Sequence, residues 1–118
     1  MSYLHDITAQ LRAFRDERDW KQFHNPKELA MSISIEANEL LEHFLWKTPE
    51  QCTAYAASQK EAIAEEMADV GKNLLIMAHD LGIDLVEAME KKLTKDMLKY
   101  PAERVKGKSQ KYMEYSAA

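Results

Sequence analysis

The chain has 118 residues, the size of a single domain with room for a hydrophobic core. Its composition, 46% hydrophobic and 31% charged with three glycines and three prolines, favours soluble helical structure. The formal net charge of -4 gives no overall reason to bind nucleic acid, and no apolar run reaches the length of a membrane span. We therefore expect one all-α domain over residues 1–118 that binds neither nucleic acid nor membrane.

The cysteine content bears on the compartment. Cys52 is the only thiol, so the chain can form neither an internal disulfide nor a cysteine-rich zinc site. The N-terminal segment carries charges every few residues and lacks the apolar core of a signal peptide. These features predict a cytoplasmic protein.

Apolar residues recur at helical spacing along most of the chain. A first helix is predicted over about residues 3–18. Asn25-Pro26-Lys27-Glu28 combines an N-cap, a proline and a capping-box acid, which predicts a second helix continuing to about Trp46. Residues 47–58 have weak amphipathicity and predict either a short helix or a connector.

The second half of the chain predicts two further helices. The third covers about residues 59–81, with Gly82 as its C-terminal cap, and the fourth covers residues 84–101. Residues 102–118 are basic and poor in apolar residues, which indicates a partly ordered tail. Long helices with short connections predict an antiparallel bundle of four to five helices.

Two of the predicted helices carry acids at spacing i, i+3 along an edge that borders the apolar stripe. The second helix has Glu36 and Glu39, and the third has Glu66 and Asp69 with Asn73 beside them. If these edges face each other, four carboxylates converge, and their mutual repulsion favours a bound cation. The competing interpretation is a solvated surface, because such pairs arise easily in an acid-rich chain.

The donor types restrict the cation. Carboxylates without cysteine favour hard cations such as Mg²⁺, with Mn²⁺ as a substitute, over Zn²⁺. A di-iron bundle is disfavoured, because Leu40 and Ile76 stand three residues before His43 and His79, where Glu-x-x-His would require glutamate. A Mg²⁺ site commonly joins the protein to substrate phosphates, so phosphate-binding residues are expected as well.

Basic and aromatic residues supply candidates for those contacts, with a solvated basic face and ordinary packing as the competing interpretations. Either indole, Trp20 or Trp46, could stack on a base. The candidates for phosphate contacts are Lys47, Lys92, Lys95, Lys99 and Tyr100.

The acid pairs also resemble a known pattern. Glu36-Ala-Asn-Glu39, a gap of 26 residues and Glu66-Met-Ala-Asp69 are similar to the paired ExxE and ExxD motifs of the all-α nucleoside triphosphate pyrophosphatases, the MazG-like superfamily. The likeness to its dCTP pyrophosphatase branch spans roughly residues 11–112 and includes ERDWKQFHNPKEL, EANELLEHFLWK, EEMADVGKNLL, GIDL, KKLTKDMLKYP and SQKY.

The resemblance implies a Mg²⁺-dependent enzyme that converts a nucleoside triphosphate to the monophosphate and pyrophosphate, with dCTP or dATP preferred, in control of nucleotide pools. The four motif acids would bind metal, and our mechanistic hypothesis gives Glu39 the task of orienting or deprotonating the attacking water. Trp20 and Trp46 would enclose the base, while Lys92 and Tyr100 would contact phosphate or sugar. The resemblance further implies a homo-oligomer, a dimer or a dimer of dimers, with sites between subunits.

Three positions depart from the family pattern and bear on base and sugar preference. Asn73, Asp96 and Lys99 stand where the family usually has Tyr, Asn and Arg. Two other functions remain open: a non-catalytic helical module that binds an ion or a basic partner, and a sensor that binds nucleotides without hydrolysis. Whether His24 and His43 contact substrate or only pack also remains open.

Overall fold

The computed structural model describes residues 2–109 of the chain. Within this part the secondary structure consists of helices without strands, which confirms the all-α prediction. The α-helices are α1 (Tyr3–Glu17), α2 (Pro26–Glu42), α3 (Pro49–Ser58), α4 (Lys60–Asp80), α5 (Leu85–Lys99) and α6 (Ala102–Val105), and a 3₁₀ turn (Lys21–Phe23) lies between α1 and α2. None of the described helices has the length and apolar character needed to span a membrane. Residues 110–118 of the predicted tail lie outside the described residues.

The end of α2 differs from the prediction. The helix ends at Glu42 rather than near Trp46, whose φ of 63° lies in the left-handed region that a right-handed helix excludes. Thr48 then starts α3 through a reciprocal capping box: its hydroxyl accepts from the Gln51 N–H at 3.2 Å, and its own N–H donates to the Gln51 side chain at 2.9 Å. The segment after Lys47 is therefore a helix rather than a plain connector.

The predicted start of α2 and end of α4 are confirmed. The Asn25 side chain accepts from the Glu28 N–H at 2.9 Å, as expected of an N-cap. Gly82 has a φ of 68°, its N–H donates to the His79 carbonyl at 3.1 Å, and the Ile83 N–H donates to the Ala78 carbonyl at 2.8 Å. These two bonds form a Schellman motif, which requires the left-handed conformation that glycine adopts without strain.

The chain divides into two compact units between Ile83 and Asp84. In the first unit α4 packs against α2, α1 and α3, with its largest contact to α2. The second unit contains α5, whose N-cap Asp84 accepts from the Glu87 N–H at 3.0 Å, and α6. The single-domain organisation over residues 1–118 stays a prediction.

The apolar stripes of the helices are less buried than the sequence predicts. Among residues 2–109 only Leu29, Ile76, Ala78 and Arg15 are buried. The apolar residues that recur at helical spacing in the sequence but are exposed in the structure are Leu4, Ile7, Phe14, Met67, Leu74, Leu81, Val86, Met89, Leu93 and Met97. A small chain whose apolar stripes are exposed is suited to oligomerisation, which would cover them.

An ion pair joins α1 to α4. Both terminal nitrogens of Arg15 donate to Asp80, at 2.7 and 3.0 Å, and the Arg15 residue is only 3% exposed. His24 Nδ1 lies 3.4 Å from Arg15 Nη1, and His79 Nδ1 lies 3.3 Å from the Asp80 carboxylate. Hydrogen bonding from Arg15 holds the pKa of Asp80 below its ordinary value and raises that of Arg15.

We expect Asp80→Asn to lower the free energy of unfolding by about 3 kcal/mol at neutral pH, because it leaves the Arg15 guanidinium buried without its counter-charge. The depressed pKa of Asp80 gives stability that is complete above its ordinary value of 3.8 and is lost as the pH falls towards the folded-state value. Urea unfolding between pH 2.5 and 7 measures both effects. The free energy of unfolding of Asp80→Asn should fall less steeply with decreasing pH than that of wild type.

The matched control is Glu90→Gln, which neutralises an exposed acid on α5. If the free energy of unfolding of Asp80→Asn and its dependence on pH below neutrality both match those of the control, the Arg15–Asp80 pair has no stabilising role.

Candidate metal centre

Three of the four predicted metal ligands meet between α2 and α4. Glu36 and Glu39 come from α2 and Glu66 from α4, and one carboxylate oxygen of each lies within 4.8 Å of the other two. All three side chains are half-buried. The i, i+3 spacing places both α2 acids on the face that α4 covers, so the helix contact itself creates the cluster.

The cluster is electrostatically costly without a cation. Burial raises the pKa of Glu36 and of Glu66, and the Glu39 side chain raises both further. One oxygen of Glu36 and one of Glu66, Oε2 in each case, is buried without a hydrogen-bond partner. Buried acceptors in native proteins are nearly always satisfied. A hard divalent cation would satisfy these oxygens and neutralise the charge, so the donor set fits Mg²⁺ or Mn²⁺.

Asp69 lies outside this group of three. Its carboxylate is 3.6 Å from Lys72 Nζ, and its backbone carbonyl accepts a hydrogen bond from Asn73 Nδ2 at 3.0 Å. Its charge still reaches the cluster, because it contributes to the raised pKa values of Glu36 and Glu66. Its assignment as a fourth ligand stays a prediction.

A cavity of about 310 Å³ opens beside the carboxylates. It is lined by Glu39, Glu42, His43, Tyr55 and Glu66. His43 Nδ1 lies 2.7 Å from the Tyr55 hydroxyl oxygen, so the two side chains are hydrogen-bonded. His43 follows Glu39 by four residues, a spacing that could have placed it beside the acids. No sequence pattern could have found Tyr55, because its position depends on the turn between α2 and α3.

The two tryptophans occupy different settings. Trp20 is 46% exposed and packs edge-on against Phe14, with ring centroids 5.7 Å apart. The Arg18 guanidinium lies 3.6 Å from the centroid of the Phe14 ring. Trp46 is 98% exposed. Packing within the described chain therefore orients Trp20 and leaves the Trp46 indole in solvent.

The remaining candidates are divided between the two units. Lys47 Nζ lies 4.4 Å from the centroid of the ring of Tyr55, which is one of the residues that line the cavity. On α5, Lys92 forms an ion pair with Asp96. Lys99 Nζ lies 5.9 Å from the centroid of the Tyr100 ring, and the Tyr100 N–H donates to the Asp96 carbonyl at 2.7 Å. The substrate contacts assigned to these residues stay predictions.

The helical fold and the carboxylate cluster define an all-α protein with a candidate site for a divalent cation. The MazG-like family matches residues 31–114, so the chain belongs to the MazG-like family.

Similar proteins are known in animals and archaea. The chain is 36% identical over 113 residues to dCTP pyrophosphatase 1 of Homo sapiens and 35% identical over 111 residues to that of Bos taurus. These matches cover 94% and 92% of the chain, which spans just under two thirds (66%) of the length of each relative. A crystal structure of a pyrophosphatase from Archaeoglobus fulgidus matches with a TM-score of 0.83 and 38% identity, covering 86% of the chain and 94% of that protein.

We expect Glu66→Gln to stabilise the metal-free protein at neutral pH and to abolish most of the stabilisation by Mn²⁺. In the metal-free wild type, the raised pKa values of Glu36 and Glu66 make stability fall as the pH rises from the ordinary value of 4.5 towards the folded-state values, because the folded state holds those protons more tightly. Thermal unfolding in chelator and in Mn²⁺, over pH 4 to 8, measures both effects.

Glu65→Gln is the control, since it changes the exposed neighbour of Glu66 on the same helix. A Glu66→Gln protein with the same Mn²⁺-dependent rise in Tm as this control would show that Glu66 binds no metal.

Proposed function

We propose that this chain is a nucleoside triphosphate pyrophosphohydrolase that requires Mg²⁺, or Mn²⁺ in its place, and that prefers dCTP. The convergence of Glu36, Glu39 and Glu66 within 4.8 Å in a MazG-like chain carries the proposal. The names of the relatives support the choice of reaction, because two are dCTP pyrophosphatases and the archaeal protein is a pyrophosphatase.

The acids would have two roles, which are binding the cation and activating the attacking water. Glu36 and Glu66 would hold the cation, together with Glu39 and Asp69. When bound, the cation would neutralise triphosphate charge and polarise the α-phosphoryl group. Glu39 is our choice for the residue that orients or deprotonates the attacking water, since it belongs to the cluster and also lines the cavity. In-line attack at the α phosphorus would release pyrophosphate.

The aromatic and basic residues would bind the rest of the nucleotide. Trp20 and Trp46 present large exposed indole surfaces that can stack on a base. Lys47, which lies against the cavity-lining Tyr55, would contact phosphate. The further residues that we assign to phosphate, sugar or base recognition are Asn73, Lys92, Asp96, Lys99 and Tyr100.

The proposal includes a homo-oligomer, either a dimer or a dimer of dimers. Met31, Ile35 and Leu41 on α2 are 47%, 54% and 51% exposed, and contact with a second copy of the chain would cover these apolar side chains. We place the enzyme in the cytoplasm, where removal of excess or unwanted deoxynucleotides would be its role.

Pyrophosphate release from each of the dNTPs and NTPs, with Mg²⁺ and with chelator, tests the reaction. We expect Mg²⁺-dependent release, fastest with dCTP, and a fall in kcat of about 10²- to 10⁴-fold in Glu39→Gln, because an amide cannot accept the proton of the water. Glu65→Gln is the matched control for loss of an acid.

The outcomes separate the competing functions. Binding of Mg²⁺ and dNTP without pyrophosphate release would favour a sensor. Failure to bind any nucleotide would favour a non-catalytic interaction module. Turnover close to that of wild type in Glu39→Gln would exclude Glu39 as the group that activates water.

We expect sedimentation equilibrium to give a mass that is a multiple of the 13.6 kDa chain, and Ile35→Glu to shift the protein towards the monomer by burying a charge in the interface. Lys27→Glu, a charge change at an exposed polar position of α2, is the control. A wild-type mass of one chain across the concentration range would contradict the oligomer.

A further inference from the structure

His43 and Tyr55 form a hydrogen-bonded pair on the wall of the cavity beside the carboxylates. His43 caps the C-terminus of α2, and Tyr55 comes from α3. Their 2.7 Å bond is accompanied by ring contact, with centroids 5.6 Å apart, and Phe44 packs edge-on against the Tyr55 ring at 6.1 Å. Both side chains are half-buried. Contacts from two helices and the turn between them therefore hold the pair in place.

The pair keeps one hydrogen-bond donor for a ligand in either tautomer of the imidazole. A neutral imidazole has one N–H and tyrosine has one O–H, so the pair has two donors, and the bond between the side chains uses one. If Tyr55 donates to Nδ1, the Nε2–H of His43 remains. If Nδ1–H donates to Tyr55, the tyrosine O–H remains. A protonated imidazole leaves two donors.

The rest of the cavity wall lacks such donors. The other side chains that line it in the described part of the chain are Glu39, Glu42 and Glu66. Ionised carboxylates only accept hydrogen bonds, and phosphate oxygens also only accept them. A phosphate group drawn to a cation at the acids would therefore meet a wall of acceptors, except where His43 and Tyr55 face it.

We propose that the His43–Tyr55 pair donates a hydrogen bond to a phosphate oxygen of the bound nucleotide and so orients the triphosphate against the acid cluster. The proposal rests on the proposed function and adds two substrate-binding residues to it. Lys47, with its ammonium group 4.4 Å from the Tyr55 ring centroid, places a positive charge against one member of the pair.

The test measures binding of a non-hydrolysable dCTP analogue with an α,β-imido bridge, by calorimetry in Mg²⁺. We expect the double variant Tyr55→Phe/His43→Leu, which removes both donors, to weaken binding of the analogue by about tenfold, the loss typical of one hydrogen bond to a charged group. Each single variant keeps one donor, so Tyr55→Phe and His43→Leu should each lose less affinity for the analogue than the double variant. The affinity for Mn²⁺ alone should stay within about twofold of wild type in all three variants, since neutral donors contribute little to cation binding.

Tyr3→Phe is the matched control, because Tyr3 is 93% exposed on α1 and its hydroxyl lies away from any packed surface. Thermal unfolding of each variant identifies loss of fold, and Tyr55→Phe keeps the ring that packs on Phe44.

Unchanged analogue binding in the folded double variant would overturn the proposal and leave the pair a structural role. An equal loss of Mn²⁺ affinity would also overturn it, by showing that the pair supports the acids instead. The wild-type arm reports on the proposed function separately: wild type that releases pyrophosphate and binds the analogue upholds that function whatever the variants do. Wild type that binds no nucleotide would contradict both.

Discussion

The placement of like charge at the contact between α2 and α4 is the constraint on which the rest of the first unit depends. Glu36 and Glu66 are brought together with two oxygens buried and unpartnered, although burial alone raises their pKa values. Packing elsewhere has to hold the helices together against this repulsion. The Arg15–Asp80 pair stabilises the same unit by joining α1 to the far end of α4, away from the acids. On α4, the residue that forms the stabilising ion pair, Asp80, is thus well separated from the acid of the candidate cation site, Glu66.

The same constraint explains the exposed apolar surface. The face of α2 that packs against α4 carries the acids. Met31, Ile35 and Leu41 are therefore exposed at the surface. A chain with only Leu29, Ile76 and Ala78 as buried apolar side chains among the described residues has little core of its own. Contact with a second copy of the chain would bury the apolar side chains that remain exposed in the single chain.

Much of the helical pattern could be predicted, because caps are local. Asn25 and Gly82 mark helix ends through bonds that span only a few residues. The end of α2 could not, since the left-handed Trp46 interrupts an apolar pattern that continues past it. The pairing of Glu36 with Glu66 followed from i, i+3 spacing on two helices, whereas Tyr55 and the Arg15–Asp80 contact depend on how distant segments pack. The role of the acids as ligands stays a prediction.

The backbone at Trp46 is unfavourable for stability, and the proposed base-stacking role of this residue would account for its presence there. A non-glycine residue in the left-handed region costs about 1–2 kcal/mol, and an indole that is 98% exposed recovers none of this through burial in its own chain. Selection for folding alone would put asparagine or glycine at such a position. Directed evolution for thermostability should therefore replace Trp46 early, and selection for activity would restore it only if the indole contacts substrate as proposed.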